Sequence, residues 1–563
     1  MTNSETNRPA TAIDAVAERY VDKIARMSPI TATELGLPGD PRALDDFSPA
    51  GLQADADAAR ETLAELAAQQ PVDDVDVVTV DAMNERLQLK VDLHERGYTL
   101  GTLNVIESPL QGIRAIFDLT PTSTVDDWDN VAGRLRTVPQ AIRGYMESLT
   151  AGRQQDRVAA IRQVRQGIEQ ANQIGAGDGF FTRFADRAST EGGELPASLR
   201  ADLSEAADGA ATAYRELASF LESEIVPVAR EDDAVGREEY ALWSQYFIGA
   251  QVDLEETYEW GRQELDRIIT EQQQVAGQIK PGAGIREAME ILDADPSTTL
   301  EGTEALRTWM QKLADTAVSE LAGTHFDIPD PVREIECCIA PTQDGGIYYT
   351  GPTDDFSRPG RMWWSVPEGV TTFNAWRETT TVYHEGVPGH HLQVGQTVYR
   401  RELLNRWRRL ACWVSGHGEG WALYAERLMA DLGYLDNPAD RMGMLDGQRL
   451  RAARVVLDIG VHLRLPAPAE LGGGTWDAEK AWPFLTSNAS MDDGFLKFEL
   501  DRYLGWPGQA PSYKVGQRLW EQIRDEARQS CEAASSEFDA KAFHRRALDI
   551  GSVGLDTLRR AML

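Results

Sequence analysis

The segment YHEGVPGHHLQ contains the residues of this chain that are best suited to chemistry. His384 and Glu385 begin it like a His-Glu-x-x-His motif, in which two histidines one helical turn apart bind zinc and the glutamate acts as a general base. Pro388 stands where the second histidine belongs, and His390 and His391 follow it. The segment therefore indicates either a metal site with altered spacing or a chance grouping of ordinary histidines.

The spacing of these histidines does not suit one ion on a straight helix. His390 follows His384 by six residues, and His391 follows it by seven and lies about 10 Å along the axis. Pro388 cannot donate to the carbonyl of His384, and Gly389 loosens the next link. We expect a Pro-Gly bulge that loops out about two residues and brings His390 into the i+4 place.

The third ligand is expected in the downstream segment SGHGEGWALYAERL. Glu419 is favoured because glycines flank it and allow a close backbone approach. Glu426 lies two turns further along the same face and is interpreted as a salt-bridged helix residue. The predicted cofactor is one zinc ion bound by His384, His390 and Glu419, with an open fourth position. Glu385 is the expected general base, taking a proton from the water that attacks the scissile carbonyl.

The elements around these residues follow from hydrophobic periodicity. Residues 1–330 show mostly helical spacing and predict a helical N-terminal lobe. After Pro331, the runs EIECCIA and GIYYTG flank PTQDG and predict a hairpin, and RMWWSVP predicts a third strand. Helical patterning resumes at Thr379, so residues 331–563 form the predicted catalytic half. The predicted fold is mainly α and two-lobed, with a small antiparallel β-sheet beside the active-site helix.

Composition restricts the partners of the protein. The chain has 563 residues and a formal net charge of −34, which argues against nucleic acid and anionic membrane surfaces as partners. No run approaches the roughly 20 apolar residues that span a bilayer, and no secretory signal is recognised. Four scattered cysteines predict thiols rather than disulfides. We expect a cytoplasmic protein that acts on a small peptide or other small molecule, with its oligomeric state open.

Four ordered motifs resemble a known bacterial family. They are YHEGVPGHHLQ, GEGWALYAERLM, RVVLDIGVHL and RYLGWPGQAPSYKVG. Together they resemble the domain of unknown function 885, whose signature is His-Glu-x-x-Pro-Gly-His-His and which is grouped with gluzincin-type metallopeptidases. The resemblance covers nearly the whole chain. It implies a metallopeptidase-like fold and a zinc-dependent peptidase that hydrolyses short peptides or modified amino acids.

The resemblance also implies roles for individual residues. In more distant helical peptidases the second ligand follows a glycine, which favours His390 over His391, although His391 stays open as the alternative. A tyrosine-rich segment in those relatives contacts the substrate carbonyl, and Tyr513 occupies the corresponding place in order; packing against the Gly-Pro turn is the alternative. An edge strand before the metal helix binds the substrate, so Tyr348 and Tyr349 are expected to line the cleft.

Three further residues are candidates with alternatives. Arg502 could receive a substrate carboxylate or pair within its own helix. Asp458 and His462 are spaced i, i+4; Asp458 would either orient a ligand histidine or pair with His462.

Two other functions also stay open. One is metal-dependent hydrolysis of a non-peptide amide or ester, and the other is a non-catalytic protein that retains the fold.

Overall fold

The computed structural model describes residues 8–190, 192–340 and 346–563, and these are mainly helical, as predicted. Several helices begin at side-chain caps. Thr11 and Asp14 form a reciprocal capping box at the first helix. The helices before the main sheet are α1 (Ala12–Met27), α2 (Pro29–Glu34), α3 (Pro49–Ala67), α4 (Asp74–Glu95), α5 (Pro109–Leu119), α6 (Val125–Gln154), α7 (Ile161–Ile174), α8 (Phe180–Asp186), α9 (Ala197–Phe220), α10 (Arg237–Ile248), α11 (Leu254–Ile279), α12 (Ile285–Asp293) and α13 (Thr303–Leu321).

Helices resume directly after the strands and continue to the C-terminus. They are α14 (Ala375–Glu385), α15 (His390–Tyr399), α16 (Ser415–Asp431), α17 (Pro438–His462), α18 (Ala478–Asn488), α19 (Asp493–Gly505), α20 (Ser512–Ala533), α21 (Ala540–Ile550) and α22 (Leu555–Met562). Within the described part of the chain, no helix is long and apolar enough to cross a bilayer.

Two small sheets interrupt the helices. Strand β1 (Thr299–Glu301) pairs antiparallel with β5 (Thr372–Asn374). The second sheet contains β2 (Ile335–Ile339), β3 (Ile347–Thr350) and β4 (Gly360–Trp364) in the order β2-β4-β3. Strand β4 runs antiparallel to β3 and parallel to β2.

The small sheet confirms the three strand predictions but corrects the hairpin. Strands β2 and β3 are not hydrogen-bonded neighbours, because β4 lies between them. The predicted turn includes residues 341–345, which lie outside the described residues. Turn residues indicate where a strand ends, but they do not show which strand it pairs with. Here the pairing partner of both β2 and β3 is β4, which comes later in the chain.

Apolar side chains form three clusters. The largest joins α1, α3 and α4 to helices α10–α22, including the fully buried Trp376, Trp421 and Trp520. A second cluster lies among α2 and α5–α9, and a third packs α13 against β2, β4 and α14. Helices on both sides of residue 330 contribute to the largest cluster, and the division of the chain at that residue stays a prediction.

Close helix packing positions the candidate site. A Cβ at Gly443 of α17 would lie 2.0 Å from the carbonyl oxygen of Trp376 in α14. A Cβ at Gly420 of α16 would lie 2.4 Å from the backbone of Gly516 in α20. Since real Cβ atoms do not come so near to backbone, glycine is required at both contacts. Helices α14, α16, α17 and α20 therefore surround one region.

Candidate metal centre

The His-Glu motif spans a break between two helices. Helix α14 ends at Glu385, α15 begins at His390, and the peptide bond before Pro388 is cis. Residues 386–389 form the connection, in which the Gly389 amide donates to the carbonyl of Tyr383 at 3.1 Å. The structure thus replaces the expected bulge within one helix by a complete break, and His390 starts a new helix.

Two contacts fold this connection onto the end of α14. A Cβ at Gly389 would lie 1.9 Å from the carbonyl oxygen of His384, so that only glycine fits. The indole of Trp421, on α16, donates to the carbonyls of Pro388 at 2.8 Å and Gly389 at 3.2 Å. Trp421 was not recognised from the sequence, where it reads as an ordinary core residue.

Three side chains converge across the break. His384 Nε2 lies 3.3 Å from Glu419 Oε2, and His390 Nε2 lies 3.6 Å from the same oxygen. One donor atom of each residue lies within 4.8 Å of the other two. Tetrahedral zinc with bonds of 2.0–2.1 Å holds its ligand atoms about 3.4 Å apart. The three predicted ligands therefore lie together, and the two separations that involve the Glu419 oxygen match those between zinc ligands.

The glycines beside Glu419 explain how its carboxylate reaches the histidines. A Cβ at Gly418 would lie 2.3 Å from the ring of Trp413, and Gly420 meets the backbone of α20. These approaches are the close contacts that the flanking glycines predict. They let Trp413 and α20 pack directly against the first turn of α16, at the positions on either side of Glu419.

Charge in this cluster favours a bound cation. Burial opposes a proton on His384, but contacts with Glu419 and Glu426 outweigh it and raise the pKa of His384 to about 10. Burial likewise raises the pKa of Glu419, but the hydrogen bonds to His384 and His390 outweigh it and hold that pKa well below its usual range. Since two carboxylates face His384, the cluster stabilises positive charge among its donor atoms.

Glu426 bonds to the ring of His384, the first predicted ligand. His384 Nδ1 donates to Glu426 Oε1 at 2.7 Å, and the Thr380 hydroxyl donates to Glu426 Oε2 at 2.8 Å. A carboxylate bound to one imidazole nitrogen leaves the other free to bind a metal. Glu426 therefore occupies the place that was one of two alternatives for Asp458. It is an ion-paired helix residue, as interpreted from the sequence, but the pair is buried and its partner is the predicted ligand His384.

Removing this carboxylate is expected to weaken metal binding. We expect Glu426→Ala to lower zinc affinity by about 10- to 100-fold, because the His384 ring loses the acceptor that fixes it. Competition with a chromogenic chelator measures the change. Asp431→Ala, which removes an exposed carboxylate from the same helix, is the control. Equal affinity in both variants would contradict the orienting role.

Glu385 lies beside the ligands and is free for chemistry. Its side chain is buried, yet no other described residue donates a hydrogen bond to its carboxylate. Burial raises its pKa, while the nearby His384 and His390 act in the opposite direction. A raised pKa brings a carboxylate closer to the range in which a general base works.

His391 links α15 to the segment before β2 and to strand β3. Its Nε2 lies 2.7 Å from the carbonyl oxygen of Val332 and its Nδ1 lies 3.0 Å from the Tyr349 hydroxyl. Both ring nitrogens are therefore occupied away from the three donors. The ring is also buried, which lowers its pKa to about 4. The alternative ligand His391 takes a supporting position.

The two tyrosines of β3 face opposite sides. The Tyr349 hydroxyl is directed to His391, whereas Tyr348 stacks on Trp363 with ring centroids 6.2 Å apart. This follows from the alternation of side chains along a strand. The structure brings Tyr349 close to the metal helix, and the substrate-binding role of both residues stays a prediction.

Asp458 and His462 do not pair with each other or with the ligands. The carboxylate of Asp458 accepts from the Tyr240 hydroxyl at 2.7 Å and from the Gly508 amide at 3.0 Å. His462 Nε2 lies 3.0 Å from the carbonyl oxygen of Tyr503. Both predictions for this pair are corrected, because α17 carries these residues past the metal cluster towards α10 and α19.

Tyr513 and Arg502 lie in a polar wall next to Glu419. The charges of Glu419 and Arg502 both act on the pKa of Tyr513, which burial raises. Arg502 pairs with Glu499 at 3.0 Å and donates to Gln509 at 2.6 Å. Tyr513 is thus placed near the metal cluster, whereas Arg502 makes the local pair that was its alternative.

Trp413 forms an exposed wall beside the second histidine. Its ring centroid lies 6.1 Å from that of His390, and 51% of the residue is exposed. It also borders a cavity of about 710 Å³ between the N-terminal helices and α10. Trp413 could not be predicted from the sequence, because an isolated tryptophan has no characteristic spacing.

Solved structures share this fold. A crystal structure of a protein described as a "putative lipoprotein" from Colwellia psychrerythraea is 20% identical, with a TM-score of 0.81 and 98% of both chains covered. A "putative lipoprotein of unknown function" from Shewanella oneidensis is 17% identical, with a TM-score of 0.74 and coverage of 98% of this chain and 100% of the other. No curated protein matches the chain.

These descriptions correct the predicted location. Both proteins of the same fold are described as putative lipoproteins, which disagrees with a cytoplasmic location. The prediction of a cytoplasmic protein is therefore wrong. The cytoplasmic prediction rested on two features, the absence of a recognised secretory signal and the small number of cysteines. Neither feature provides information about the cellular location of related proteins.

The family assignment rests on nearly the whole sequence. Residues 29–562 match the family described as "Bacterial protein of unknown function (DUF885)". The match includes the His-Glu segment, the Glu419 helix and the polar wall around Tyr513. The chain therefore belongs to the DUF885 family of bacterial proteins of unknown function.

Proposed function

We propose that this protein is a zinc-dependent peptidase of the gluzincin type, which hydrolyses short peptides or modified amino acids. The observation that carries the proposal is the convergence of His384, His390 and Glu419 beside the unbonded carboxylate of Glu385. Three protein ligands with a glutamate next to them are the arrangement that hydrolytic zinc sites use.

Each residue has a definite task in this proposal. A zinc ion bound there would act as a Lewis acid and would lower the pKa of the attacking water to about 7. Glu385 accepts the proton of that water and passes it to the leaving amine. Tyr513 donates a hydrogen bond to the carbonyl oxygen as negative charge develops on it. Glu426 holds the His384 ring in position through Nδ1.

Metal analysis combined with a substrate panel tests the proposal. We expect about one zinc ion per wild-type chain, strong loss in His384→Ala and His390→Ala, and retention in His391→Ala, because only the first two offer a free nitrogen to the site. The zinc-loaded protein is then assayed on free, N-blocked and C-blocked dipeptides. A chelator should abolish hydrolysis, and added zinc should restore it.

Two results would contradict the proposal. Equal zinc in the wild type and the His384→Ala variant would remove the metal site. Zinc binding without hydrolysis of any dipeptide would instead favour an amidase or esterase that acts on a non-peptide substrate.

A further inference from the structure

One arginine beside the candidate site has no partner in the described part of the chain. Arg451 lies on α17, and its Nε is buried without a hydrogen-bond partner. None of the described residues forms an ion pair with its guanidinium. By contrast, Arg449 on the same helix donates to Asn488, to the carbonyl of Ser487 and to Gln272.

The position of Arg451 places its charge at the metal cluster. Gln448, one turn earlier on α17, donates to Glu426 at 3.5 Å. Arg454, three residues later, lies over the ring of Tyr513 at 5.1 Å. Arg451 is thus located between a residue that contacts the orienting glutamate and one that contacts the candidate oxyanion donor. Its charge also acts on the carboxyl of Glu385.

The carboxylates near Arg451 are already committed. Glu426 accepts from His384 and Thr380, and Asp446 pairs with Arg377 at 3.3 Å. Glu385 is reserved for proton transfer in the proposed function. A partly buried guanidinium without an anionic partner is costly, since burial of an unpaired charge is unfavourable.

The polar wall that contains Tyr513 and Arg502 adds further positive charge. Arg454 and Arg502 share one buried carboxylate, that of Glu499, at 2.6 and 3.0 Å. Arg502 Nε is also buried without a partner. In a chain with a net charge of −34, this wall therefore carries a local excess of cations. Such a wall suits an anion that arrives with the substrate.

We propose that Arg451 binds a carboxylate of the substrate and thereby selects substrates that carry a negative charge close to the scissile bond. The proposal rests on the hydrolytic function above and names its substrate class: peptides or N-acyl amino acids with a free carboxylate. Guanidinium groups bind carboxylates through two parallel hydrogen bonds, which also fixes the orientation of the bound group.

Three matched probes identify the carboxylate. The first is an N-acetyl dipeptide with neutral side chains and a free C-terminus, and the second is its C-terminal amide. The third is an N-acetyl dipeptide amide that carries a glutamate side chain. Wild-type kcat/KM should favour a carboxylate probe over the neutral amide by about ten- to a hundredfold, as for a hydrogen bond to a charged group. Preference for the first or the third probe identifies the source.

The variants assign that preference to Arg451. Arg451→Gln should bring the ratio of acid to amide close to one, and Arg451→Lys should retain part of it. Arg449→Gln makes the same charge change on the same helix and should keep the wild-type ratio. Zinc content and the thermal midpoint are measured for each variant. An unchanged ratio in a zinc-loaded Arg451→Gln protein would overturn the proposal.

A binding measurement separates this inference from the proposed function. Calorimetry compares N-acetyl amino acids with their amides on wild type and Arg451→Gln. Acid-selective binding that disappears in Arg451→Gln supports carboxylate recognition even if no peptide is hydrolysed. Hydrolysis of peptides without any preference for a carboxylate would leave the peptidase standing and overturn the role of Arg451.

Discussion

Replacing Glu385 by glutamine is expected to lower kcat by about 10²- to 10⁴-fold while the zinc content stays unchanged. The amide has nearly the same shape but cannot accept a proton at neutral pH. The metal ligands are expected to be untouched, because the carboxylate of Glu385 forms no hydrogen bond or ion pair with any described residue. The measurement is steady-state hydrolysis of the best dipeptide from the panel, beside metal analysis of the same preparation.

Two further variants test whether the loss of activity comes from the carboxylate of Glu385. Glu385→Asp keeps a carboxylate but moves it back by one methylene, so it should retain more activity than the glutamine variant. Glu368→Gln, at an exposed position, makes the same chemical change away from the site and should act like the wild type. Full activity in Glu385→Gln would exclude Glu385 as the general base.

Replacing Gly389 by alanine is expected to disrupt the metal site from the backbone. The new Cβ would lie 1.9 Å from the carbonyl oxygen of His384 and 2.5 Å from that of Tyr383. Neither contact can be relieved by a side-chain rotation, so the connection between α14 and α15 must shift. We expect a free energy of unfolding lower by about 3 kcal/mol, at the upper end of typical overpacking costs, together with loss of most of the zinc.

The control for Gly389 is a glycine within a helix that has open space around it. Gly277 of α11 has no atom within 4 Å of its added Cβ, so Gly277→Ala should be neutral or stabilising by about 0.5–1 kcal/mol. Denaturant unfolding and zinc stoichiometry are compared for the two variants. A zinc-replete Gly389→Ala protein as stable as the wild type would show that the turn tolerates a side chain.

The residues of the candidate site that could be predicted are those with a local signature. His384, Glu385 and His390 lie within seven residues, and Glu419 is marked by its flanking glycines. Residue type and short spacing limit what such a segment can do, because few arrangements of histidine and glutamate suit a metal. The mainly helical fold and the three strands of the main sheet are also local properties, set by hydrophobic periodicity and turn residues.

The partners of those residues could not be predicted, because they depend on distances across the fold. Asp458 has helical spacing to His462, yet its carboxylate bonds to Tyr240, 218 residues away. Glu426 reaches His384 over 42 residues, and nothing in its own segment distinguishes it from a surface glutamate. The order of β2, β4 and β3 likewise depends on a later strand, β4, which inserts between the two earlier ones.

The sequence by itself indicated a stretched His-Glu motif, with Glu385 as the candidate general base and Glu419 as the candidate third ligand, since these depend on residue type and near spacing. Only the tertiary structure decided that the helix ends at Glu385, that Glu426 bonds to His384 and that Arg451 lacks an anionic partner. The physical reason is that hydrogen bonding and charge compensation are properties of atoms within a few ångströms. Packing of α14, α16 and α17 brings those atoms together from segments far apart in the chain.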